Sequence, residues 1–407
     1  MPYRLTQLLC SFWLCLLVGM AHAKDPSIDY FVEFVPEDNK AEVRIVMTDA
    51  GWMSYARFNT KDYRIDNWQG TGELEQKDDT LTWRPNAETA EISYTVDLPR
   101  QRRSGGYDSY ITEDWTLLRG ERIVPPIAVT RPEGISTQVH MEFTLPENWP
   151  VVHTGWPEVG KHRFHIDNPR YIFPRPAGWI VAGKLTAQQE KLMGTEVVVA
   201  APRGEQFRPV EYLAFISMVW PEVTKAFDDM PPKILITGAN DPMWRGGLSA
   251  PNSYYVHSDR PLVSANGTST PIHELVHVVT GIHGKKTHNW IPEGVAEYYT
   301  VELLHRAGAF SAERKARVFA ELDEWSQEVE TLRHKNSTSR ITGQAAVLFH
   351  QLDGELRQRS DGRLTLDDLI RQVLPKKTLD TADLQAAFVE LMGEESAVLD
   401  SELLRDP

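Results

Sequence analysis

His273-Glu274-Leu275-Val276-His277 is the stretch from which the rest of this chain is read. Its context is helical. Thr270 suits the N-cap, Pro271 suits the first helical position, and Leu275, Val276, Val278 and Val279 supply an apolar face. Histidines four residues apart project from one side of a helix, so both can reach a single metal ion. The glutamate between them then lies beside the metal, where it can take a proton from water. The plain alternative is a buried helix that happens to carry two histidines. The pattern predicts one Zn2+ per chain on His273 and His277, with Glu274 as general base.

A catalytic zinc normally takes three protein ligands, and two downstream residues compete for the third place. Glu293 lies in Trp290-Ile291-Pro292-Glu293-Gly294-Val295-Ala296-Glu297-Tyr298-Tyr299, where Pro292 marks a helix start and puts Glu293 in the first turn. His283 is the other candidate, because His277-Val278-Val279-Thr280-Gly281-Ile282-His283 nearly completes HExxHxxGxxH. That longer pattern wants glycine where Thr280 stands, and a methionine turn that this chain lacks between His283 and Met392. The balance favours Glu293.

With HELVH followed by WIPEGVAEYY, the chain resembles the gluzincin peptidases, most of all the glycyl aminopeptidase family (M61) and next the M1 aminopeptidases. The resemblance implies that Glu293 is the third zinc ligand. It implies that Gly246, Gly247, Leu248, Ser249 and Ala250, within Arg245 to Ser253, form the glycine-rich edge strand along which a peptide or protein substrate lies. It also extends to the helical segment Gly343 to Asp353. Two departures stand out. Ser249 occupies the position where these families carry a glutamate, which in M1 enzymes anchors a substrate's free amine. No tyrosine precedes Gly343, where M1 enzymes place their oxyanion donor. Arg340, His334, Tyr254 and Tyr255 are the available substitutes, and loss of such a donor costs about 10²–10³ in rate. A binding protein built on a catalytically impaired peptidase scaffold is therefore the rival reading.

Neighbouring polar residues carry weaker signals. Glu297, one turn beyond Glu293, either supports a ligating histidine or faces solvent. His283 and His288 belong to a lysine-bearing loop, and Tyr298 and Tyr299 read as core.

Residues 1–23 read as an export signal, with Arg4, an apolar run from Leu8 to Val18, and Ala21-His22-Ala23 as a cleavage site. Both cysteines, Cys10 and Cys15, fall inside it. The mature chain would then have no disulfide, thiolate ligand or cysteine nucleophile, which suits a periplasmic or secreted protein without stable membrane insertion. A net charge of −14 argues against nucleic acid as a partner.

From 24 to 205 the pattern is mostly of period two, as in Val43/Ile45/Met47, Ile92/Tyr94/Val96/Leu98 and Val139/Met141/Phe143/Leu145. This predicts an antiparallel, sandwich-like β domain. Its tryptophans, Trp52, Trp68, Trp83, Trp115, Trp149 and Trp156, read as packing rather than a sugar platform. From 206 to 305 a helix interrupted at Pro221 and a strand at Lys233 to Thr237 lead into the motifs, as expected of a thermolysin-like α/β zinc-peptidase domain. Residues 306–407 read as a helical region, with a cleft expected between the β and helical parts.

Overall fold

The computed structural model describes residues 26–130, 137–168 and 173–405; the expected export segment at 1–23 lies outside them. The period-two segments form a seven-stranded sheet in the order Glu158–Gly160, Arg163–His165, Gln138–Thr144, Ser27–Val35, Lys40–Thr48, Ala90–Asp97 and Ile65–Gly70. Val43, Ile45, Met47, Ile92, Tyr94 and Val96 all enter one core. Phe58 and Trp83 reach it from a second, four-stranded sheet, and Leu118, Val152, Ile180 and Ala182 from a third, five-stranded one, so the core is enclosed by stacked sheets. Burial of each such side chain stabilises by roughly 1.5–3 kcal/mol. Trp83, Trp149 and Trp156 are buried in this core, while Trp52 and Trp68 pack against it. Ser27–Val35 runs antiparallel to Lys40–Thr48 but parallel to Gln138–Thr144. Alternation reveals which face of a strand is buried, not which way its neighbour runs.

A five-stranded sheet, in the order Leu185–Leu192, Thr195–Pro202, Lys233–Thr237, Ser253–Val256 and Gly247–Ala250, positions the site. It draws on both sides of the boundary expected near 205. Val197, Val199, Ile234 and Ile236 give it an almost wholly apolar centre, as strands covered on both faces require. The helix Pro209–Ala226 packs against it and runs through Pro221 without the expected break. Gly247–Ala250 is the edge strand. The β region holds this edge from behind: Trp179 donates from its ring N–H to Leu248 O at 2.8 Å and from its backbone N–H to Ser253 Oγ at 2.7 Å.

The remaining chain is helical, with principal helices at Thr270–Thr280, Trp290–Arg306, Ala312–Ser326, Arg340–Arg359, Leu366–Val373 and Thr381–Met392. Tyr298 and Tyr299 are fully buried among them, as core. Among the described residues no helix is long and apolar enough to cross a membrane.

Candidate metal centre

The helix Thr270–Thr280 is capped by Ser269 rather than Thr270. The Ser269 hydroxyl accepts from Ile272 N at 3.4 Å and donates to Leu262 O at 2.6 Å. Its far end is Gly281, at φ 58°, a left-handed position that glycine adopts without steric cost. The glycine that falls one residue late for HExxHxxGxxH is thus the helix stop. Leu275, Val276 and Val279 are buried in the core, and Val278 only packs against it. On another side of the same helix, His273 and His277 bring their Nε2 atoms within 3.1 Å of each other.

The helix Trp290–Arg306 lies beside this pair and packs tightly on the helix Arg340–Arg359, where Gly294 leaves room. A Cβ there would lie 2.7 Å from Ala345 Cβ and 2.9 Å from Phe349 Cδ2. Glu293 then sits with Oε2 3.4 Å from His273 Nε2 and Oε1 3.7 Å from His277 Nε2. In tetrahedral zinc coordination, bonds of about 2.0–2.1 Å put ligand atoms about 3.3 Å apart. The imidazole separation of 3.1 Å is close to that value, and Glu293 turns one carboxylate oxygen toward each imidazole at 3.4 and 3.7 Å, so the three residues form a group that could hold one ion. Glu297 resolves in favour of support: its Oε2 lies 2.9 Å from His273 Nδ1. A proton held on Nδ1 by that carboxylate leaves the Nε2 lone pair free for a metal.

Glu274 lies against the edge strand. A Cβ on Gly247 would come within 2.6 Å of Glu274 Oε1, so only glycine lets strand and carboxylate meet. Burial pushes the Glu274 pKa up to about 7, and nearby Glu293 adds to the rise. The positive field of His273 and hydrogen bonds from the Ser249 hydroxyl and backbone N–H pull the other way. Burial also opposes charging His273, but hydrogen bonds to Glu293 and Glu297 outweigh it and raise its pKa well above the ordinary value.

These groups open into a cleft of about 700 Å³ whose lining residues all lie between Trp244 and Gly343. The cleft is not walled by the β sandwich, contrary to the sequence expectation, because the edge strand itself forms that wall. The β region contributes from outside, with the Arg102 guanidinium 4.2 Å over the Trp244 ring. Of the edge-strand residues, Gly246 and Gly247 line the cleft, whereas Leu248 and Ala250 pack against the core behind it. His283 is exposed and pairs as a short strand with Thr378, outside the group formed by His273, His277 and Glu293.

None of the four oxyanion candidates lines the cleft. Arg340 pairs with Glu328, and His334 is exposed. Tyr255 donates to Trp244 O at 3.0 Å. Tyr254 is fully buried, and its hydroxyl makes no hydrogen bond among the described residues. The wall at that point is instead Ser337, Thr338, Ser339 and Thr342. Sequence reading also missed Arg260, Asn266, Thr268 and Trp325 in the lining, since no local pattern marks loop residues that converge only on folding.

No protein-family model and no curated protein matches the chain. Solved structures do match. An aminopeptidase N family protein from Idiomarina loihiensis superposes with a TM-score of 0.65 at 15% identity, over 86% of this chain and 70% of that one. An M1 zinc metallopeptidase from Deinococcus radiodurans gives 0.60 at 12% identity, over 94% and 95%. A two-domain M1 zinc metallopeptidase variant bound to L-tryptophan gives 0.59 at 12% identity, over 94% and 96%. At these identities the likeness is one of fold: this chain is folded like M1 zinc metallopeptidases, and its His273, His277 and Glu293 lie together as a group that could hold a metal ion.

Proposed function

We propose that the chain is a zinc metallopeptidase exported from the cytoplasm. The observation that carries the reading is the convergence of His273, His277 and Glu293 on one point with the buried carboxylate of Glu274 beside them. His273, His277 and Glu293 would hold the ion, and Glu297 keeps His273 in the ligating tautomer. Bound zinc supplies Lewis acidity toward water and a scissile carbonyl. Glu274 accepts the proton of the attacking water and delivers it to the leaving amine. Gly246 to Ala250 offers backbone groups with which an extended peptide pairs as an added strand. The families with this motif pair, M1 and M61, both act on peptides, and one protein of similar fold binds an amino acid. Residues 1–23 support export, and we divide the chain into that segment, a β domain, a catalytic region and a helical region.

The test is zinc content and peptide hydrolysis of the purified mature protein beside Glu274→Gln. Loss of the general base should lower the rate by about 10²–10⁴ while one zinc per chain remains. Hydrolysis that survives the substitution, or that persists after exhaustive chelation, would overturn the proposal. One zinc and no hydrolysis in either protein would favour a binding protein on this scaffold.

A further inference from the structure

The charge balance of the cleft points to a class of substrate. Three carboxylates line it, and each is already committed. Glu293 faces both histidines, Glu297 lies 2.9 Å from His273 Nδ1, and Glu274 abuts the edge strand at Gly247, beside the metal group. None is left over for a substrate's α-ammonium. Among the described residues the lining has one permanently cationic side chain, Arg260. Its Nε and Nη2 donate to Arg245 O at 3.1 and 2.8 Å, and it makes no ion pair among the described residues. Asp259, its neighbour in the chain, and Asp241 face Arg245 instead. Arg260 is therefore positioned by a backbone carbonyl while its charge has no carboxylate partner, an arrangement suited to gripping a carboxylate from outside.

Its location gives the register. Arg245 directly precedes Gly246 and Gly247, and Gly247 abuts Glu274. Two residues of extended chain span about 7 Å, so a peptide aligned on the strand meets Arg260 within two or three residues of the bond at Glu274. Resting on the peptidase reading above, we infer that Arg260 is the specificity-determining residue. It selects peptides with a carboxylate, from an acidic side chain or a C-terminus, within two or three residues of the cleaved bond.

The experiment measures binding, so peptide turnover is not its readout. Zinc-loaded Glu274→Gln protein is titrated by calorimetry with three alanine-based hexapeptides, all acetylated at the N-terminus. One carries glutamate and a C-terminal amide, its twin carries glutamine and the amide, and the third carries glutamine and a free C-terminal acid. We expect the glutamate or the free-acid peptide to bind about tenfold more tightly than the neutral twin, and whichever does so identifies the carboxylate's source. Arg260→Ala, and Arg260→Gln, which keeps a donor toward Arg245 O, should both abolish the difference. Equal affinities for all three peptides, or a preference that survives both substitutions, would overturn the inference. The same peptides given to the unsubstituted enzyme separate the two readings. Cleavage without preference leaves the peptidase and sinks the role of Arg260; Arg260-dependent binding without cleavage does the reverse.

Discussion

The two halves of the helix Trp290–Arg306 carry two ionic clusters that solve opposite problems. Toward its N-terminus, Glu293 and Glu297 face His273, His277 and Glu274, a set without lysine or arginine. Five residues on, about 7.5 Å along the axis, Glu302 begins a second cluster. There Arg306 meets Glu302 at 2.7 Å and Asp367 at 2.6 Å, Lys315 pairs with Glu302, and the Tyr299 hydroxyl donates to Asp367 at 2.8 Å. Two carboxylates are matched by two cations from the chain itself. The second cluster is closed and can only stabilise. The first gathers carboxylates and imidazoles with no lysine or arginine paired to them among the described residues, a group that could hold a metal ion. Buried acidic groups alone do not mark a functional site; their charge balance does.

The most damaging test of this contrast removes the structural cation. Arg306→Met would leave Glu302 and Asp367 buried without their shared partner, at a cost of about 3–5 kcal/mol. Urea denaturation should show that loss while zinc stoichiometry at saturating metal stays at one per chain. Loss of metal binding in the folded variant would show that the halves are not independent.

A smaller effect tests an imidazole on the other side of the balance. Burial, reinforced by the positive charge of Lys233 and only partly offset by Glu196, pushes the His153 pKa down to about 4. Between that value and the unfolded pKa near 6.5, the unfolded chain binds more protons. Stability should therefore fall as pH drops through this window, by as much as roughly 3 kcal/mol once below both values. Denaturation at pH 7 and pH 4 with chelator present, so that metal release does not contribute, should show a shallower loss in His153→Gln. An unchanged pH slope would remove His153 from the account.

The smallest expected change lies within the metal cluster. Glu297→Gln keeps an acceptor for His273 Nδ1 but loses the charge that strengthens it, and should weaken zinc affinity by about 10- to 100-fold. Competition with a chromogenic chelator measures this. A wild-type affinity would reduce Glu297 to the solvated role that sequence alone allowed.

Much of the site was legible because its signals are local. Pro271 and Gly281 bracket the motif helix, and Pro292 sits in the first turn of the next. Glu297 was undecided because spacing puts it one turn from Glu293 without revealing which face meets the histidines. Arg260 was invisible: it stands in a loop upstream of the motif and reaches the cleft only through its bond to Arg245 O. In the β region, alternation revealed the core residues but not the parallel pairing of Ser27 with Gln138, a contact across more than a hundred residues.

By itself the sequence determined the pair of histidines on one helical side and the glutamate between them, because four-residue spacing is a property of the helix and needs no tertiary context. The approach of Glu293 to the histidines, its supporting carboxylate, the glycine contacts that let strand and helices close together, and an arginine that pairs with no carboxylate among the described residues were decided by tertiary structure. Those groups are distant in the chain, and only the packing of the two helices against the edge strand sets the few ångströms between them.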